Sequence, residues 1–129
     1  MNPWVKFLKD TKGSFKSIQE AARAYHGNWT SSAGLYYGTG SVDGTRIRHV
    51  LCHGFPDRSK RVHGVFIGGP TKVLGIVDEA WRKRAMPRPG DPGAYLVRMG
   101  RVIGTAGEDK VKIIVVPGTN RLVTAYPQS

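Results

Sequence analysis

A single cysteine, Cys52, in a chain of 129 residues excludes any internal disulfide and leaves the redox compartment open. Acidic residues are scarce as well: nine Asp and Glu stand against 20 Lys and Arg, a formal charge of +11. A carboxylate cluster of the kind that holds catalytic divalent metals has little to draw on, and cleavage of DNA, which has no 2′-hydroxyl of its own, is not expected. No apolar run approaches the roughly 20 residues of a membrane span, and the N-terminus lacks the apolar core of a signal peptide. The zinc-hydrolase pattern His-Glu-x-x-His is also missing. His49 and His53 have its spacing, but Val50 occupies the place of the glutamate.

What is present is positive charge, and in quantity. An excess of this size points to a polyanionic partner, either nucleic acid or an acidic protein. The length suits one domain, residues 1–129, with helices and a loop over 1–45 ahead of a core over 46–127.

Hydrophobic periodicity divides the chain. Residues 2–12 predict a short helix with Pro3 at its first position and Gly13 beyond its end, and Trp4, Phe7 and Leu8 share one face. A second helix is expected over 17–26, where Ser17 and Glu20 can form a capping box. Residues 27–45, rich in Gly, Ser and Thr around Trp29, Tyr36 and Tyr37, read as a long loop or a weak hairpin turning at 42–45. An amphipathic helix is expected at about 71–84: Val73, Leu74, Val77, Ala80 and Trp81 form one stripe, while Asp78/Arg82 and Glu79/Lys83 are spaced as i,i+4 ion pairs. Beyond residue 94 the period becomes that of strands, at 94–99, 101–103, 111–116 and 121–126, and the last two read as a hairpin. The stretches 46–53 and 62–67 are expected to add strands. The sum is an α+β fold with N-terminal helices packed on an antiparallel sheet.

The chemistry concentrates in residues 46–66. His49, His53 and His63 lie here among Arg46, Arg48, Arg58, Lys60 and Arg61, with Asp57 as the lone carboxylate. His49 and His53 are four apart and share a face in either a strand or a helix. A metal-free ribonuclease needs a base for the 2′-hydroxyl, an acid for the 5′-oxygen, and cations or hydroxyls to hold the phosphorane. Histidines near their natural pKa can perform the proton transfers. Lys60 with Arg46, Arg48, Arg58 and Arg61 can bind the phosphates, and Thr124 and Tyr126, on one face of a final strand together with Leu122, can donate two hydroxyls. Two other readings stay open. Cys52 with the three histidines can be arranged as a zinc site, which the surrounding cations oppose. A non-enzymatic RNA- or DNA-binding domain would use the basic face and aromatics alone.

The run Arg48-His49-Val-Leu-x-His53, Pro56-Asp57-x-x-Lys60-x-x-His63-x-Val-Phe66, Val77-Asp-Glu-Ala-Trp81, Asp91-Pro-Gly-Ala-Tyr95, Gly104-Thr-Ala-Gly107, Pro117-Gly-Thr119 and Thr124-Ala-Tyr-Pro127 resembles the C-terminal ribonuclease domains of bacterial polymorphic and contact-dependent inhibition toxins. Those domains are grouped with the barnase, EndoU, colicin and RelE fold. The resemblance implies RNA cleavage, often of tRNA, without metal or other cofactor. It also implies delivery by a larger secreted protein into a target-cell cytoplasm, and neutralisation by an acidic cognate immunity protein. Carried over by residue, it makes His49, His53, His63, Lys60, Thr124 and Tyr126 catalytic and leaves acid and base unassigned among the histidines. We expect His49 and His63 to be the main proton-transfer pair, with His53 positioning or sharing that work and Lys60 and Arg48 stabilising the phosphate. A monomer that spans no membrane is expected.

Overall fold

In chain order the elements are α1 (Pro3–Asp10), β1 (Trp29–Thr30), β2 (Tyr36–Tyr37), β3 (Thr39–Ser41), β4 (Gly44–Thr45), α2 (Arg46–Leu51), α3 (Pro70–Lys83), β5 (Ala94–Arg98), β6 (Lys110–Val115) and β7 (Leu122–Gln128). The computed structural model describes residues 3–10, 28–41, 44–51, 53 and 64–129, and within them the fold is α+β. The helix expected at 17–26 lies outside the described residues.

The long helix forms where its apolar stripe required it. Pro70 takes the first helical position, where a missing N–H costs nothing, and Gly69 before it adopts a φ of 73° that other residues avoid. Val73, Leu74, Val77, Ala80 and Trp81 are all buried. They pack against the sheet, with the Trp81 and Tyr95 rings meeting edge to face at 5.6 Å. Glu79 makes its i,i+4 contact with Lys83 at 3.4 Å and a two-pronged pair with Arg101, both contacts at 2.7 Å. Asp78 departs from expectation. It turns inward, is wholly buried, and accepts the Ala33 N–H at 3.3 Å.

The three strands form an antiparallel meander in the order β5-β6-β7. Val97, Val111, Ile113, Val115 and Ala125 are buried beneath α3, and Lys112, Ile114, Thr124 and Tyr126 occupy the opposite, half-buried face. Between Ile114 and Val115 the register shifts: Ile114 pairs with Thr124 but Val115 pairs with Leu122, which leaves Val123 as the extra residue of a bulge. Leu122 therefore falls on the core face and is 3% exposed. The expectation that it shares a face with Thr124 and Tyr126 is corrected by this one-residue shift.

Smaller pieces complete the core. β1 pairs with β2, and β3 with β4, so the weak hairpin expected at 42–45 is present as a short ribbon. The N-terminal helix rests on α3, with Pro3 beside Gly75, and Phe7, Trp29 and Tyr37 form a chain of ring contacts at 5.5 and 5.6 Å. Asp10 fastens this corner by accepting Lys6 Nζ at 2.6 Å and Trp29 Nε1 at 2.7 Å. Its carboxyl is held below the usual range, first by the Lys6 bond and then by the Trp29 bond.

Two expected strands are absent. Residues 46–51 are helical, because Ile47, Val50 and Leu51 recur at helical spacing and all three are buried. The run 101–103 pairs with no strand among the described residues. It follows Gly100 at a φ of 74° and is held by the Ile103 and Gly104 N–H groups on the Glu108 carbonyl. Of the strand expected at 62–67, the described part is an isolated bridge between Phe66 and Gly104. No helix among the described residues is long and apolar enough to cross a membrane.

Candidate functional site

The site is assembled where α2 runs beside β7. Because Ile47, Val50 and Leu51 are drawn into the core, the same helical turn directs Arg46 and His49 the other way, and His53 follows one turn later. His49 Nε2 lies 2.9 Å from the Thr124 hydroxyl. The His49 and His53 rings are 5.8 Å apart at 78°, and the His53 ring is 6.0 Å from Tyr126. Two imidazoles, a hydroxyl and a phenol thus come from segments 75 residues apart in the chain.

Hydrogen bonding fixes the proton positions in part. His53 Nδ1 is 2.7 Å from the Gly64 carbonyl. A carbonyl can only accept, so Nδ1 carries the hydrogen, and Nε2 is the nitrogen left to exchange a proton with a substrate. The His53 carbonyl in turn accepts the Phe66 N–H at 2.7 Å, which holds that backbone in place. For His49 the Thr124 hydroxyl can either donate to Nε2 or accept from it, so it can accompany the ring through both protonation states.

Arg46 Nη1 donates to the Val123 carbonyl at 3.1 Å. The bulge therefore turns a strand carbonyl toward the arginine one helical turn before His49. On the sheet face carrying Thr124 and Tyr126, Lys112 is the direct cross-strand neighbour of Tyr126, and it adds a cation that the sequence reading passed over. Its signal was there: Lys110 and Lys112 alternate with buried Val111 and Ile113, as charges on the open face of a strand do. Arg121 and Tyr36, brought together by a parallel bridge, were also missed as a pair. The Arg121 guanidinium lies 5.6 Å from the Tyr36 ring centre.

The structure thus brings together His49, His53, Thr124, Tyr126 and Arg46 of the expected set. Arg48 lies on α2, its side chain outside the described residues, as are His63, Lys60, Arg58, Arg61 and Cys52. Among the described residues no three His, Cys, Asp or Glu side chains are grouped as a metal site. Around the two histidines lie a hydroxyl, a carbonyl and aromatic rings. Such a set can move protons and hold an oxyanion. Comparison with protein-family models, curated proteins and solved structures gave no match.

Proposed function

We propose that the chain is a metal-independent endoribonuclease of the toxin type, cleaving RNA by attack of its own 2′-hydroxyl and leaving a 2′,3′-cyclic phosphate. The observation that carries this reading is the convergence of His49 and His53 beside Thr124 and Tyr126. One imidazole takes the 2′-hydroxyl proton as that oxygen bonds to phosphorus. The other gives a proton to the 5′-oxygen as its bond to phosphorus breaks. Thr124 and Tyr126 donate to the non-bridging oxygens, Lys112 offsets the charge that grows on them, and Arg46 binds the substrate strand beside them. His63 is the covalent neighbour of Gly64, whose carbonyl holds His53, and it stays in the proposal with Lys60 as a further participant. In keeping with the resemblance, tRNA is the proposed substrate, an acidic immunity protein the proposed partner, and the cytoplasm of a target cell, reached from a secreted effector, the proposed place of action.

The test is to incubate the purified protein with total bacterial RNA in excess EDTA and to analyse fragment 3′ ends. Discrete fragments ending in 2′,3′-cyclic phosphate are expected. The His49→Ala and His53→Ala variants should each be slower by about 10²- to 10⁴-fold, the usual contribution of one proton-transfer group. RNA that is bound but left intact, or histidine variants of undiminished activity, would overturn the proposal.

A further inference from the structure

A cavity of about 210 Å³ opens between β2, β3, the first turn of α2 and the bulged start of β7. Arg46 and Arg121 both line it, with Tyr36, Thr39 and Val123 among the other walls, and the described lining contains no carboxylate. The space is ample for a phosphate group. The walls are set by backbone. Tyr36 is bridged to Arg121 and its N–H bonds to the Asn120 carbonyl at 2.9 Å. Its ring lies so close over Gly38 that an added Cβ there would sit 3.1 Å from Cε1. Arg46 is anchored on the Val123 carbonyl at 3.1 Å.

The position relative to the histidines gives the cavity its meaning. Arg46 is one helical turn, about 5 Å, from His49, and Val123 directly precedes Thr124, the partner of His49. Successive phosphates of a strand are one nucleotide apart, a spacing of the same order as that helical turn, so a group held in the cavity can be next in line to one held by the histidines. We infer that this cavity is a nucleotide subsite: Arg46 and Arg121 grip the phosphate adjacent to the scissile one, and its base lies outside against the Tyr36 ring and the Arg121 guanidinium. Paired guanidiniums match phosphate oxygens, and an aromatic ring offers any base a stacking face. The assignment rests on the reading of the histidines as an RNA-cleaving pair, which orients the strand.

Nucleoside 3′-monophosphates carry no scissile bond to a following nucleotide, so wild-type protein can be titrated with them while the Arg Nε–H signals are followed by NMR. Saturable shifts of Arg46 and Arg121 are expected, with Kd raised tenfold or more in Arg121→Gln and partly recovered in Arg121→Lys. Inorganic phosphate should bind more weakly than the nucleotide, and a glutamate-rich peptide should leave both signals in place. Three results would overturn the subsite: no shift with any nucleotide, equal affinity for inorganic phosphate, or a response to the acidic peptide alone, which would make the cavity a protein contact. RNA cleavage measured on the same wild-type sample separates the two readings. Cleavage without nucleotide shifts removes only the subsite, whereas arginine shifts with intact RNA remove only the cleavage mechanism and leave nucleotide binding supported.

Discussion

Asp78 shows how far a single residue can depart from its pattern. Its spacing to Arg82 reads as a surface ion pair, yet the carboxyl faces the core, where Oδ1 finds no partner among the described residues and the Tyr37 hydroxyl is likewise unmatched. Burial pushes the carboxyl above its ordinary value of 3.8, and hydrogen bonds from Ser31 and the Ala33 N–H oppose that rise. A group raised in the folded state favours its protonated form there. Its contribution to stability is therefore complete below 3.8 and is lost as pH climbs through the raised value. At pH 7 the ionised side chain weakens the fold, and Asp78→Asn is expected to raise Tm by about 2–6 °C. The gap between variant and wild type should close at pH 3, as thermal melts at the two pH values would show. Nothing in the sequence distinguishes a carboxylate facing outward on a helix from one rotated a third of a turn toward a neighbouring loop. The same blindness hid the pairing of Tyr36 with Arg121, because it depends on a bridge between distant segments.

Among elements, α3 and the closing hairpin were legible because each repeats its signal: five apolar residues on one helical stripe, and Val111, Ile113 and Val115 at every second position in a β-branched run. α2 was not, since Arg46-Ile47-Arg48 mimics a strand's alternation and six residues give helical period too few turns to declare itself. The bulge in β7 was invisible for another reason: it is a relation between two strands, not a property of one. Its function can be isolated. Deleting Val123 leaves Thr124 opposite Ile114 and Leu122 opposite Val115, so the ladder becomes regular and Leu122 stays in the core. The Arg46 anchor, however, is lost with the bulge carbonyl. The deletion variant should melt within a few degrees of wild type while cleaving RNA about tenfold more slowly or worse, measured by initial rates in EDTA. A collapse of the melting transition would show that the bulge serves stability instead.

For the molecule as a whole, composition was the most direct guide: a charge of +11 with nine acidic residues leaves little to offset the field around the histidines. Single-stranded RNA loses affinity with salt at a logarithmic slope near −0.7 for each phosphate neutralised. With Arg46, Arg121 and Lys112 around the site, a slope of about −2 or steeper is expected for the His49→Ala protein, titrated by fluorescence anisotropy across salt concentrations. A flat response would mean that RNA is not held through its phosphates.

His53 is tied on two sides to main-chain atoms. Its Nδ1 meets the Gly64 carbonyl at 2.7 Å, and its own carbonyl accepts the Phe66 N–H at the same distance. No side chain at 64 or 66 enters either bond, so a substitution at Phe66 that keeps the backbone in place leaves the tautomer of the ring as it is.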